Sequence, residues 1–144
     1  MQRIHLASDH AGFNLKEILA RHLSTLGYEA VDDGTHSTAS CDYPVFAHRL
    51  CQAVAAEGTS GILICGTGLG MSIAANRHTE IRAALCTTEL HARMSRCHNN
   101  ANVLCLGARV TGVELALAIV ETFLATPFEG GRHQRRLDLL SVRA

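Results

Sequence analysis

Residues 61–76 read GILICGTGLGMSIAAN, and this stretch decides the fold. Its first five residues, GILIC (61–65), form an unbroken apolar run, the mark of a strand covered on both faces. Glycines follow at 66, 68 and 70, and small and apolar residues then predict a helix from about Gly70. Outward from this strand–turn–helix unit the same alternation repeats. Toward the amino end, RIHLA (3–7) and YEAVD (28–32) predict strands. Between them, Phe13, Leu15, Ile18, Leu19, Leu23 and Leu26 fall on one face of a helix that Gly27 stops. A second helix follows, with Asp42 as cap, Pro44 in its first turn and Gly58 as its stop. Toward the carboxyl end come a strand (81–86), a helix (88–98), a strand (101–107) and a long helix (112–126). Residues 130–144 predict a last amphipathic helix, opened by Gly130 and Gly131. Such regular alternation implies one domain over 1–144, with a parallel sheet between helices.

Composition fits that expectation and narrows the function. Of 144 residues, 47% are apolar and 18% charged, the make-up of a compact protein rather than a disordered one. Thirteen basic side chains balance thirteen acidic ones, so net charge gives no support to binding nucleic acid or a membrane surface. No stretch reaches the apolar length that spans a bilayer, and no signal-peptide core opens the chain. The six cysteines show neither CxxC pairing nor a zinc-knuckle spacing, which points to a reducing, cytoplasmic compartment.

In open parallel sheets, ligands bind beyond the carboxyl ends of the strands, where the winding direction reverses. That rule selects the loops 8–12, 32–35, 65–70, 86–89 and 107–110. The 65–70 turn is neither a dinucleotide fingerprint, which needs GxGxxG, nor a P-loop, which needs a following GK[ST]. Bare N–H groups at a helix start favour an anion, either a phosphate or an oxyanion formed in a transition state. A glycine-rich turn by itself equally suits tight packing. Cys65 favours chemistry, because a thiol facing a helix start is expected to ionise readily and serve as nucleophile or base. Asp9 and His10 end the first strand beside it, although such a pair also suits a helix cap and a surface histidine. His98 and Asn99 precede the fifth strand, where a polar turn with left-handed asparagines is the alternative. Arg132 and Arg136 lie four apart on one helical face, able to grip a dianion or simply to face solvent. Neither HExxH nor paired Cys/His spacing is present, so no metal ligand set is expected.

Taken together, SDHAGF, DYP at 42–44, GILICGTGLGMSIAANR, SRCHNNANVLCLGARV and EGGRHQRR resemble the type B ribose-5-phosphate isomerases, whose relatives include the galactose-6-phosphate isomerase subunits. The resemblance runs along essentially the whole chain. It implies a three-layer α/β/α domain with a five-stranded parallel, Rossmann-like sheet, and aldose–ketose isomerisation of a sugar phosphate without metal or cofactor. Cys65 then resembles the base that moves the proton between C1 and C2, and His98 the residue that opens the sugar ring. Asp9, His10, Gly66, Thr67, Gly68, Leu69, Gly70, Asn99, Arg109, Arg132 and Arg136 match the sugar- and phosphate-binding set. Some members use a carboxylate as base a few residues further on; this chain keeps Cys65 and has Ala75 and Asn76 there. It departs from some relatives at Ser8, where they have cysteine, and at Leu69 and Met71, which are bulkier and are expected to narrow the site. The resemblance further implies a homodimer or homotetramer with sites shared between subunits, the C-terminal helix (131–144) reaching a neighbour. Three rivals remain: an isomerase of another sugar phosphate, a sugar-phosphate sensor without catalysis, and a thiol redox protein in which Cys86 partners Cys65.

Overall fold

The computed structural model describes residues 1–141, so Val142–Ala144 of the expected last helix lie outside the described residues. Five strands form one wholly parallel sheet, β1 (Arg3–Ser8), β2 (Glu29–Asp32), β3 (Ser60–Cys65), β4 (Ala83–Leu85) and β5 (Val103–Gly107), in the order β2-β1-β3-β5-β4. The helices are α1 (Phe13–Thr25), α2 (Tyr43–Glu57), α3 (Leu69–Ala75), α4 (Glu89–Cys97), α5 (Val113–Ala125) and α6 (Arg132–Asp138). Among the described residues, no helix is long and apolar enough to cross a membrane.

The period-2 geometry of β3 sorts its side chains into two cores. Ile62 and Ile64 pack with Leu15, Leu19 and Leu23 of α1 and Ile119, Val120 and Phe123 of α5. Leu63 and Cys65 point the other way, onto Leu50, Cys51 and Val54 of α2 and Met71, Ala74 and Ala75 of α3. A fully buried Leu or Ile is worth about 1.5–3 kcal/mol, and β3 contributes to both layers. It is the central strand, with β1 on one side and β5 on the other. The chain winds outward from β1 to β2 and then crosses back to β3, so the reversal falls between β1 and β3.

Several expectations at the helix surfaces need correcting. Leu26 was expected on the buried face of α1 but is 42% exposed, because it caps the helix past its last packed turn. Lys16 is fully buried instead; its Nζ donates to both carboxylate oxygens of Asp32, each at 2.5 Å, tying α1 to the end of β2. β4 is shorter than expected, since the backbone N–H of Arg82 donates to Oδ1 of Asn102 rather than to a ladder partner. Met71 does not narrow a site; it is fully buried against α2, whereas Leu69 is exposed at the start of α3.

Candidate active site

The strand ladder places the first group of residues. β1 and β3 run side by side with Ser8 opposite Ile64, and the Asp9 N–H donates to the Ile64 carbonyl at 3.2 Å. Asp9 and Cys65 therefore meet at the reversal point. The Asp9 carboxylate accepts from the N–H groups of Ala11 and Gly12 through Oδ1, so it also caps the turn into α1. Nδ1 of the half-buried His10 accepts from the Cys41 N–H at 3.3 Å. In a neutral ring that acceptor fixes the proton on Nε2.

Cys65 is 5% exposed. Its Sγ accepts from the Gly68 N–H at 3.2 Å, a donor that stabilises negative charge on sulfur. The Leu69 N–H is likewise engaged, by the Thr67 hydroxyl oxygen at 3.3 Å. The first helical bond of α3 runs from the Ser72 N–H to the Gly68 carbonyl. Gly70 and Met71 are thus left with N–H groups that have no acceptor inside the helix. Only part of the expected anion cradle is free. Gly68 is required twice over: its φ is +81°, and a Cβ there would lie 2.5 Å from Leu85 and 3.0 Å from the backbone of Leu106. Gly107 is its counterpart, because a Cβ on it would stand 2.6 Å from the backbone of Thr67. The exposed Arg109 spreads its guanidinium over Gly66.

Sequence reasoning missed two neighbours of this group. Tyr43 packs its ring on Gly70, where a Cβ would come within 2.5 Å of it, and Cys41 orients His10. Both lie in or beside the DYP segment, which is the signal that could have found them.

His98, Asn99, Arg132 and Arg136 lie elsewhere. His98 closes the C-terminal end of α4, and Asn100 after it is left-handed (φ 45°), as the polar-turn alternative required. Arg96 holds this corner, donating to Asn100 Oδ1 at 3.1 Å, to the Thr126 carbonyl at 3.3 Å and to the Ala101 carbonyl. Burial and the nearby Arg82 push its pKa below the usual arginine range. The two histidines and two arginines of this corner share a hollow of about 310 Å³, whose lining includes His98, Asn99, Arg132, His133 and Arg136. Sequence reasoning passed over His133, although it sits inside the GRHQRR motif.

The two groups are at opposite ends of the sheet. The carbonyl of Asn102, three residues past Asn99, accepts from the N–H of Gly61 at the start of β3, whereas Cys65 is its end. Gly61 and Cys65 are four steps of parallel strand apart, about 13 Å. Within the described residues α6 also packs on its own chain, with His133 buried against His98.

Residues 4–140 match the Ribose/Galactose Isomerase family along nearly the whole chain. The chain belongs to that family. Ribose-5-phosphate isomerase B of Escherichia coli is 47% identical over 143 residues, 99% of this chain and 96% of that protein. A ribose 5-phosphate isomerase from Thermotoga maritima superposes with a TM-score of 0.93 at 54% identity, covering 95% of each chain. The ribose-5-phosphate isomerase B of Mycoplasma genitalium, solved with ribulose-5-phosphate bound, superposes with a TM-score of 0.91 at 45% identity, covering 94% of this chain and 91% of that one. Family membership makes this chain a sugar-phosphate isomerase and sets aside the sensor and redox rivals. The three-layer fold with a five-stranded parallel sheet is that of these structures.

Proposed function

We propose that this isomerase interconverts ribose 5-phosphate and ribulose 5-phosphate at a site formed by two copies of one single-domain chain. The observation that carries the reading is Cys65 at the end of a central buried strand, with the Gly68 N–H on its sulfur. A proton next to a carbonyl needs a base held close to it, and a thiolate set in a fixed backbone turn meets that need. His98 first takes the proton of the C1 hydroxyl as the C1–O4 bond breaks, and a proton is returned to O4, giving the open aldehyde. The Cys65 thiolate then takes the C2 proton. The electron pair moves through C1–C2 onto the aldehyde oxygen, forming an enediolate. Proton exchange between the two oxygens and return of the Cys65 proton to C1 gives the ketose. The turn N–H groups left without an acceptor, those of Gly70 and Met71 among them, are available to that oxyanion, each well-aimed one worth about 3 kcal/mol.

The placement of the two groups at opposite ends of β3 supports sharing across a dimer. One chain supplies Asp9, His10, Cys65, the 66–70 turn and Arg109. A second supplies His98, Asn99, Arg132 and Arg136, whose paired guanidinium groups suit a phosphate. A two-fold pairing makes the exchange reciprocal. Six free cysteines support a reducing, cytoplasmic setting. The test is direct: purified enzyme with a panel of aldose phosphates, reading ketose formation. Ribose 5-phosphate should give the highest kcat/KM, and a tetrose, allose or galactose phosphate turned over faster would replace it as substrate.

A further inference from the structure

His133 is the one buried side chain among the described residues of α6, 4% exposed. Its ring lies flat on that of His98, with centroids 4.3 Å apart and planes 14° from parallel. Its Nε2 is buried without a hydrogen-bond partner, and Oε2 of Glu129 stands off at 3.5 Å. A buried polar atom without a partner destabilises the fold, so packing alone would be better served by an apolar ring.

Ligand atoms of His98, Glu129 and His133 lie within 4.8 Å of one another, a grouping that invites a cation. Two features speak against one. Arg132 and Arg136 line the same hollow and would repel it. Rings stacked flat also do not aim their in-plane lone pairs at a common point.

Four charged or titratable groups face His133: His98 from the end of α4, Glu129 from the α5–α6 loop, and Arg132 and Arg136 from α6 itself. Burial, then His98, then Arg132 hold its pKa below the usual histidine range, and Glu129 pulls the other way. A charge on His133 would sit against the stacked ring of His98 and in a buried position, both of which favour its neutral form.

We infer that His133 is a positioning residue, a neutral platform that fixes the plane of His98 and leaves the exchangeable proton on His98 alone. The inference rests on the ring-opening role of His98 proposed above. Its test compares His133→Ala, His133→Phe and His98→Asn on two substrates. Ribose 5-phosphate closes into a ring; erythrose 4-phosphate cannot, because its O4 is esterified. His133→Ala should lower kcat on ribose 5-phosphate about tenfold, in the range of lost supporting contacts, and leave the tetrose phosphate within about twofold. His133→Phe should restore most of the rate, since a flat apolar ring rebuilds the platform.

Equal losses on both substrates in His133→Ala would make its role purely structural and overturn the inference. A His133→Phe enzyme as slow as His133→Ala would overturn it too, by showing that a ring nitrogen acts directly. If His98→Asn separates the substrates and His133→Ala does not, the inference alone fails. If His98→Asn slows both equally, the ring-opening role fails and takes the inference with it.

Discussion

The two ends of the sheet are built by different means. At the carboxyl end the backbone does most of the positioning: β1 and β3 bring Asp9 to Cys65 by their register, and the Gly68 N–H aims at the sulfur. At the amino end side chains do this work. Arg96 clamps the corner through three acceptors, and His133 stacks beneath His98. A site held by backbone tolerates changes of surrounding side chains but not of its glycines. A site held by side chains shows the reverse. On the proposed reading the pairing also divides labour: the carboxyl end would carry the proton transfer from carbon, and the amino end would hold phosphate and open the ring.

The largest effect expected from breaking this division is on chemistry. Cys65→Ser should lower kcat at least about a hundredfold, because a hydroxyl is far too weak an acid to supply the base. Its KM should hold, whereas Arg132→Ala with Arg136→Ala should chiefly raise KM. A Cys65→Ser enzyme with full kcat would move the base elsewhere. Next in size is complementation between the ends. Assayed well below the wild-type KM, where each alone is nearly inactive, Cys65→Ala and the double arginine variant should regain activity when unfolded and reassembled together. Random pairing gives one intact site in half the dimers, about a quarter of the wild-type rate. Verified heterodimers without activity would place all these residues in one site on one chain.

Glycine at the carboxyl end comes third. Gly68→Ala combines a left-handed backbone with contacts against Leu85 and Leu106, and should cost about 3 kcal/mol. For a chain of this size that lowers Tm by roughly 10 °C in calorimetry. A change under about 2 °C would mean that the turn relaxes freely.

The smallest effect separates the core from the amino end by pH. In the core at mid-α2 and at the end of β4, burial pushes the thiols of Cys51 and Cys86 up to about 12 and about 11, from an ordinary value of 9.0. The unfolded chain therefore loses these protons first. The stability they contribute is present below about pH 9 and is lost as pH climbs toward 12. At the amino end His133 is held below the usual histidine range. The unfolded chain binds that proton first, so its contribution is lost as pH falls below about 6.5. Denaturant titrations across pH should show both losses. Cys51→Ala should flatten the alkaline limb and His133→Phe the acid one; an unchanged limb in either variant would break that assignment.

The carboxyl end was largely legible in the sequence. GILIC followed by alternating glycines specifies strand, turn and helix within sixteen residues, and the reversal rule then selects Asp9, His10 and Cys65. Less legible was how many N–H groups of the turn are already engaged, which depends on where the Cys65 and Thr67 side chains point. The residue types at the amino end were legible; their arrangement was not. The reversal rule looks only to carboxyl ends, and the His98–His133 stack joins residues on two helices. Likewise Lys16, a charged residue amid apolar neighbours, is buried because Asp32 waits at the end of β2. That pairing has no signature in the spacing of α1.

Because the two half-sites sit at opposite ends of the sheet on one chain, folding and activity are separate events on the proposed reading. A chain released from denaturant completes its sheet by itself, in a first-order step that reports on burial of the two cores. Catalysis must then wait for an encounter with another chain. Its recovery should lag the spectroscopic signal and be second order in protein, so the lag shortens as chains become more numerous.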